Sequence, residues 1–205
     1  MTTTRRTTTR IVAAAAASTL ALATSACSTD DGHRGGHGSM MGAATPSSST
    51  AADHNQADLM FSMMMVPHHL QAIEMSDLVP DRTGSAGLRD LAERIRGAQQ
   101  PEVDRMTGWL EEWGTAPMTG SMDGHAMGGM GGMMSAEDLR DLAALRGAAF
   151  DLTWLEMMVE HHEGAVVMAR DVLRQGRHAG TRELAEQIIV AQQAEIAEMR
   201  AMLAG

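Results

Sequence analysis

Residues 64–75 read MMVPHHLQAIEM, and residues 157–168 read MMVEHHEGAVVM. His68 and His161 are 161 − 68 = 93 positions apart, and the same offset carries Asp58–Leu110 onto Asp151–Leu203 without a gap. Both His-His pairs recur, as do Met64/Met157, Met65/Met158, Met75/Met168, Gln99-Gln100/Gln192-Gln193, Met106/Met199 and Leu110/Leu203. Self-similarity of this kind is the duplication of one supersecondary unit, so the fold is read from the pair.

At about 100° per residue, Met64, His68, Ala72 and Met75 fall within one arc of about 80°, with Phe61 and Val79 on the same side. That is the core-facing stripe of a helix. In the second copy the stripe is Trp154, Met157, His161, Ala165, Met168 and Val172. His69 falls at the margin of the arc. Each copy is therefore expected to aim one His and two Met thioethers at a common interior.

Around these stripes the chain divides into four helices. The first spans about 53–79 and contains Pro67, where a proline frees a carbonyl and can kink the helix. After a turn at 80–87, the second spans about 88–113, with Leu88, Leu91, Ile95, Gln99, Glu102, Met106 and Leu110 on one face. Gln99 and Glu102 are polar residues on an apolar face and need partners if buried. Ser135 and Asp138 form a capping-box start to a third helix predicted to run unbroken to Arg174. A turn at 176–180 leads to a fourth over 181–203, which repeats the second with Gln192, Glu195 and Met199. Two duplicated helical hairpins make an all-α four-helix bundle with pseudo-twofold symmetry.

Composition narrows the function. The 205 residues include 16 Arg and no Lys, 20 Met, 9 His and no Tyr, with a net charge of −10. With aromatics at 2%, Met, Leu, Ile and Ala must fill the core. Arg5, Arg6 and Arg10 precede an apolar run, Ile11 to Ala23, too short for an ordinary membrane span. The run ends in T-S-A-C at Cys27, the one cysteine. This resembles a bacterial lipoprotein signal (1–26) with Cys27 lipidated, although Thr24 stands where Leu is usual. The alternative is a plain secretory signal; the Arg5-Arg6 pair lacks the apolar residues that follow in a twin-arginine signal. Either way the protein is expected to be exported, with any membrane contact made through a lipid anchor at Cys27. Losing those three Arg takes the mature charge to −10 − 3 = −13, which argues against nucleic acid as a partner. A lone cysteine excludes an intramolecular disulfide and a multi-thiolate metal site. Residues 27–52, with His33 and His37, read as a flexible tether, and 53–205 as the bundle.

Between the repeats, residues 114–134 place Met118, Met122, His125, Met127, Met130, Met133 and Met134 among many glycines. So much glycine disfavours a packed helix. The segment is read as a secondary metal-binding loop, with 118–134 dispensable to the bundle itself.

Met at helical spacing is usually core filler, and a His on an apolar face is usually a hydrogen-bonded core residue. Two His-His pairs, each with Met four before and seven after its first His, favour metal instead. Thioether and imidazole without thiolate suit a soft cation, Cu(I) or Ag(I), better than Mg, Ca or Mn. Zn would want more His, Cys or carboxylate.

The pattern D-x-x-F…M-x-x-H-H-x-x-A-I-x-M…L-A-x-x-I-x-x-A-Q-x-x-E-x-x-x-M-x-x-W-L of Asp58–Leu110 closely resembles the bacterial domain-of-unknown-function 305 family. The resemblance covers about 53–205 in both copies. It implies a ferritin-like helical bundle, often exported, and for some members periplasmic copper binding. Mapped here, the implied motif residues are Met65, His68, His69 and Met75, then Met158, His161, His162 and Met168, with Gln99/Glu102 and Gln192/Glu195 in the second helix of each pair. The function expected is copper sequestration, buffering or transfer, exchanged with a metal-donor or acceptor protein, and not catalysis.

Two rivals stand beside it. A ferritin-like di-metal oxidase needs E-x-x-H pairs, yet Met65 and Met158 stand where Glu would be required. Glu102 and Glu195 joining His68 and His161 would give a two-His, two-carboxylate centre. The other rival is a structural bundle whose His, Gln and Glu form a satisfied buried network.

Overall fold

The computed structural model of the chain describes residues 53–115 and 131–205. Helix α1, Gln56–Leu78, starts at a capping box: Asn55 Oδ1 accepts from the N–H groups of Ala57 and Asp58, and Asp58 Oδ2 accepts from Asn55 N–H at 2.8 Å. A short 3-10 turn at Val79–Asp81 leads to α2, Ala86–Glu112, capped by Ser85. Neither Pro67 in α1 nor Pro101 in α2 ends its helix. Helix α3, Ala136–Ala144, has the expected Ser135–Asp138 capping box. Then come α4, Gly147–Gln175, and α5, Ala179–Ala204. Helices α1 with α2 and α4 with α5 form the two hairpins, and α1 packs on α4. No strand occurs among the described residues, and none of their helices is long and apolar enough to cross a membrane.

The single helix expected from Ser135 to Arg174 is two. Leu145 and Arg146 are extended (ψ 159° and 160°), and Gly147 has φ +58°. Contacts distant in sequence fix this break. Gly147 N–H donates to the Arg82 carbonyl at 2.7 Å, Arg146 Nη1 to the Asp81 carbonyl at 2.8 Å, and Arg82 Nε to the Ala143 carbonyl at 2.9 Å. The connection is thereby tied to the α1–α2 turn, and Gly147 supplies a left-handed residue that costs a side-chain-free backbone little.

Opposite, Asp58 ties the start of α1 to the α4–α5 turn. Its carboxylate accepts from Arg177 N–H at 2.9 Å, His178 N–H at 3.1 Å and the Thr181 hydroxyl at 2.6 Å. Burial alone would raise its pKa. The hydrogen bonds from Thr181, Arg177, Asn55 and His178 favour the charged form, and the net shift is downward.

The core falls into two apolar clusters. One gathers Met75, Val79, Leu88, Leu91, Ile95, Leu142, Phe150, Trp154, Met158 and Met199. The other gathers Phe61, Met65, Met106, Leu110, Ala165, Val172, Leu184 and Ile188. Along each long helix the residues between the two clusters are polar and buried: His68 and His69 in α1, Gln99 in α2, His161 and His162 in α4, Gln192 in α5. A polar layer thus crosses the middle of an apolar bundle.

Candidate metal centre

His68 and His161 face one another from α1 and α4, with ring centroids 3.8 Å apart and planes tilted by 40°. Both side chains are fully buried, and none of their four ring nitrogens makes a hydrogen bond of good geometry among the described residues. The backbone of Gly131 beside His68, and of His68 beside His161, opposes the effect of burial only weakly. Burial pushes His68 down to about 3, with the charge of His69 acting the same way. His161 is held well below 6.5 by burial, then by His68, His162 and His69. Both rings are therefore neutral at pH 7 and carry available lone pairs.

The second His of each pair is anchored. His69 Nε2 lies 2.7 Å from Glu102 Oε2, and His162 Nε2 lies 2.9 Å from Glu195 Oε2. An ionised carboxylate only accepts, so each Nε2 carries the proton. Nδ1 of His69 and of His162 is left without a partner, as are Gln99 Nε2 and Oε1 and Gln192 Oε1. Donating one ring nitrogen to a carboxylate is how ligand imidazoles are commonly oriented.

Two expectations are corrected here. The di-metal rival joins Glu102 and Glu195 to His68 and His161; they pair instead with His69 and His162. His69 and His162 are also as buried as their neighbours and not marginal. The reason is that α1 and α4 each pack against two helices, so the buried arc is wider than a single stripe. The same width moves the thioethers. Met65, Met75 and Met158 are fully buried, but Met64, Met157 and Met168 are only half-buried. Met64 and Met168 line a groove of about 640 Å³ between α1 and α4 that also contains Met60, Glu160 and Gly164. Met157 lines a separate depression with Met133, Met134 and Glu160.

The end of the inter-repeat segment belongs to the core, contrary to the dispensable role expected for 118–134. Met134 is 7% exposed. Its N–H donates to Gln71 Oε1 at 2.7 Å, and its carbonyl accepts from Gln71 Nε2 at 2.9 Å. On α4, a side chain at Gly164 would collide with the Gly131 carbonyl, and one at Gly132 (φ +86°) would meet the Glu160 carbonyl at 2.5 Å. Residues 131–134 therefore cross the bundle directly over the two His pairs. Met118, Met122, His125, Met127 and Met130 lie outside the described residues, as does Cys27. Among the described residues no three His, Cys, Asp or Glu side chains converge on a common cation position.

Sequence reading did not single out Met60, Gln71 or Gly164. The available signal was the mismatch between copies, with Met60 opposite Thr153 and Gln71 opposite Gly164 at the 93-residue offset (153 − 60; 164 − 71).

The profile of the family described as Domain of unknown function (DUF305) matches residues 58–203, both His pairs included. The chain belongs to the DUF305 family. Its fold is that of other DUF305 proteins. A Streptomyces coelicolor DUF305 protein, described as a candidate for secretion, is 35% identical with TM-score 0.66, covering 75% of this chain and 94% of that one. A Deinococcus radiodurans DUF305 fragment is 28% identical with TM-score 0.67, covering 73% and 97%. CopM in its Cu(II)-bound form is 31% identical with TM-score 0.62, covering 72% and 95%. CopM is also known in Cu(I)-bound and Ag-bound forms. No curated protein matches the chain.

Proposed function

We propose that this DUF305 protein is an extracytoplasmic copper-binding protein that takes Cu(I), or Ag(I) as its mimic, into the polar layer of the bundle. In this reading it buffers, sequesters or hands on the ion and is not an enzyme. The observation that carries it is the His68/His161 pair: four unpartnered imidazole nitrogens held neutral in a fully buried position. Leaving a buried polar group unpaired costs about 1–3 kcal/mol. A satisfied structural network would not leave so many.

Ligand imidazoles must be deprotonated, and here they already are at neutral pH, so binding releases no proton from them. A monovalent ion in an apolar interior needs compensating charge, which Glu102 and Glu195 supply through His69 and His162. Thioethers of Met65, Met158 and Met75 lie one or two helical turns away and offer the soft donors such an ion prefers. The copper-bound and silver-bound states of CopM support the choice of metal. Export and lipidation at Cys27, with a donor or acceptor protein as partner, complete the proposal.

The test is competition titration of the mature protein with Cu(I), alongside His68→Leu/His161→Leu. The variant should lose the tightest site while keeping its helical content. Unchanged affinity and stoichiometry would sink the assignment, and sustained turnover with Fe(II) or Cu(I) and oxygen would favour a di-metal oxidase instead.

A further inference from the structure

The two repeats offer two equivalent places for a cleft between α1 and α4, and they are used differently. In the first, Met60, Met64 and Met168 line the groove of about 640 Å³. Their counterparts at the 93-residue offset are Thr153, Met157 and Met75. There Met134 and Leu142 pack into the core cluster with Met75 and Trp154, and Met75 is fully buried. The connection and α3 thus cover this side and leave a smaller depression of about 400 Å³ lined by Met134, Thr153 and Met157. Among the described residues only Gly131 and Gly132 of the connection border the other, larger groove.

Three thioethers therefore face one surface groove, drawn from both repeats. Core filling does not account for them: Met60 is 42% exposed and the other two are half-buried. The groove walls otherwise consist mainly of apolar residues and glycine, including Phe61, Val167, Gly132 and Gly164. Three carboxylates, Glu160, Glu163 and Asp171, stand around it. Glu163 is paired with Arg200 and Asp171 with Arg174. Glu160 has no ion pair among the described residues, and it immediately precedes His161. Met64 is one turn before His68 in α1, and Gly164 about one turn after His161 in α4.

We propose that this groove is a second soft-metal site, at which Met60, Met64 and Met168 take up a monovalent ion of the Cu(I)/Ag(I) class at the protein surface. The proposal rests on the soft-metal reading of the bundle, but on different residues. Thioethers are soft and neutral, so they select such an ion over Mg or Ca and bind it without competing protons. An uncompensated carboxylate nearby attracts the cation without displacing sulfur from it. The groove is far larger than an ion, which leaves space for the ligand that delivers it.

The test uses the mature chain labelled with ¹³C at the Met methyl groups, with Ag(I) as the probe. In the His68→Leu/His161→Leu variant, where the buried centre is removed, Ag(I) should still shift the Met60, Met64 and Met168 methyl signals together. With both histidines intact, Met60→Leu/Met64→Leu/Met168→Leu should bind one Ag(I) fewer than the parent. Leucine keeps the apolar volume and the helix, so circular dichroism should be unchanged. Unmoved signals from those three methyls while other Met signals shift, or full stoichiometry in the triple variant, would overturn the groove site. Loss of an ion from the triple variant, with none lost from the His variant, would uphold the groove and sink the buried centre.

Discussion

Gln71 and Gly164 occupy the same position of the two repeats, and the segment joining the hairpins crosses the bundle over both. Gln71 clamps the backbone of Met134 through both ends of its amide, at 2.7 and 2.9 Å. Gly164 lets the Gly131 carbonyl rest against the backbone of α4. One copy needs a long reach and the other needs no side chain at all. The divergence of the duplication is set by this crossing.

Gly164→Ala should push residues 131–134 off α4, because the added methyl would overlap the Gly131 carbonyl. A loss of about 1–3 kcal/mol is expected, as for overpacking. Gln71→Ala should cost a similar amount, about 1–3 kcal/mol, by leaving buried backbone groups of Met134 unpaired. Urea denaturation of each variant measures the loss, and hydrogen exchange at Met134 should rise in both. Wild-type stability in both variants would show that the crossing is not coupled to folding.

Replacing 116–130 with Gly/Ser of equal length should leave the urea midpoint unchanged while lowering the number of Ag(I) ions bound. Met134→Ala, in contrast, should cost about 2–5 kcal/mol, the range for truncating a buried Met. A large loss from the loop replacement, or none from Met134→Ala, would contradict the boundary drawn here between loop and core.

Asp58 should be among the most costly single polar residues to remove. Asp58→Ala deprives Asn55, Arg177, His178 and Thr181 of an acceptor, and about 2–4 kcal/mol is expected from a lost cap plus buried unpaired donors. Its folded pKa lies below 3.8. The stability it contributes is thus present above its unfolded pKa and lost as pH falls through the lower folded value. Acid unfolding below about pH 4 should be shallower in Asp58→Asn than in the parent.

The metal-free protein should also weaken on mild acidification. His68 titrates near 6.5 when unfolded and about 3 when folded, so between those values the unfolded chain binds the extra proton. Stability falls as pH drops through that window, and His161 acts in the same direction. His68 alone should cost about 2 kcal/mol by pH 5, His161 should add to the loss, and the loss should be smaller in His68→Leu/His161→Leu. Melting temperatures measured from pH 7.5 to 5 decide it: a flat profile would mean the rings are not held neutral.

The exact 93-residue repeat and the 3.6-residue spacing of apolar positions in each copy were enough to determine a bundle of two helical hairpins, with His68 and His161 pointing inward. Both are local properties of a chain, since a helix and its face follow from residues within a few turns of one another. Capping at Ser135 was legible for the same reason. What the sequence left undecided depends on which surfaces meet. The break at Leu145 and Arg146 follows from docking on Arg82 and Asp81. The pairing of Glu102 with His69 and not His68 follows from how α2 lies against α1. The split of the methionines into a buried set and a groove-lining set depends on α1 and α4 each touching two partners, which widens the buried arc beyond what one helix reveals. Above all, the inequality of the two clefts arises because a single connection cannot obey a twofold axis: it covers one side, and only the folded chain decides which.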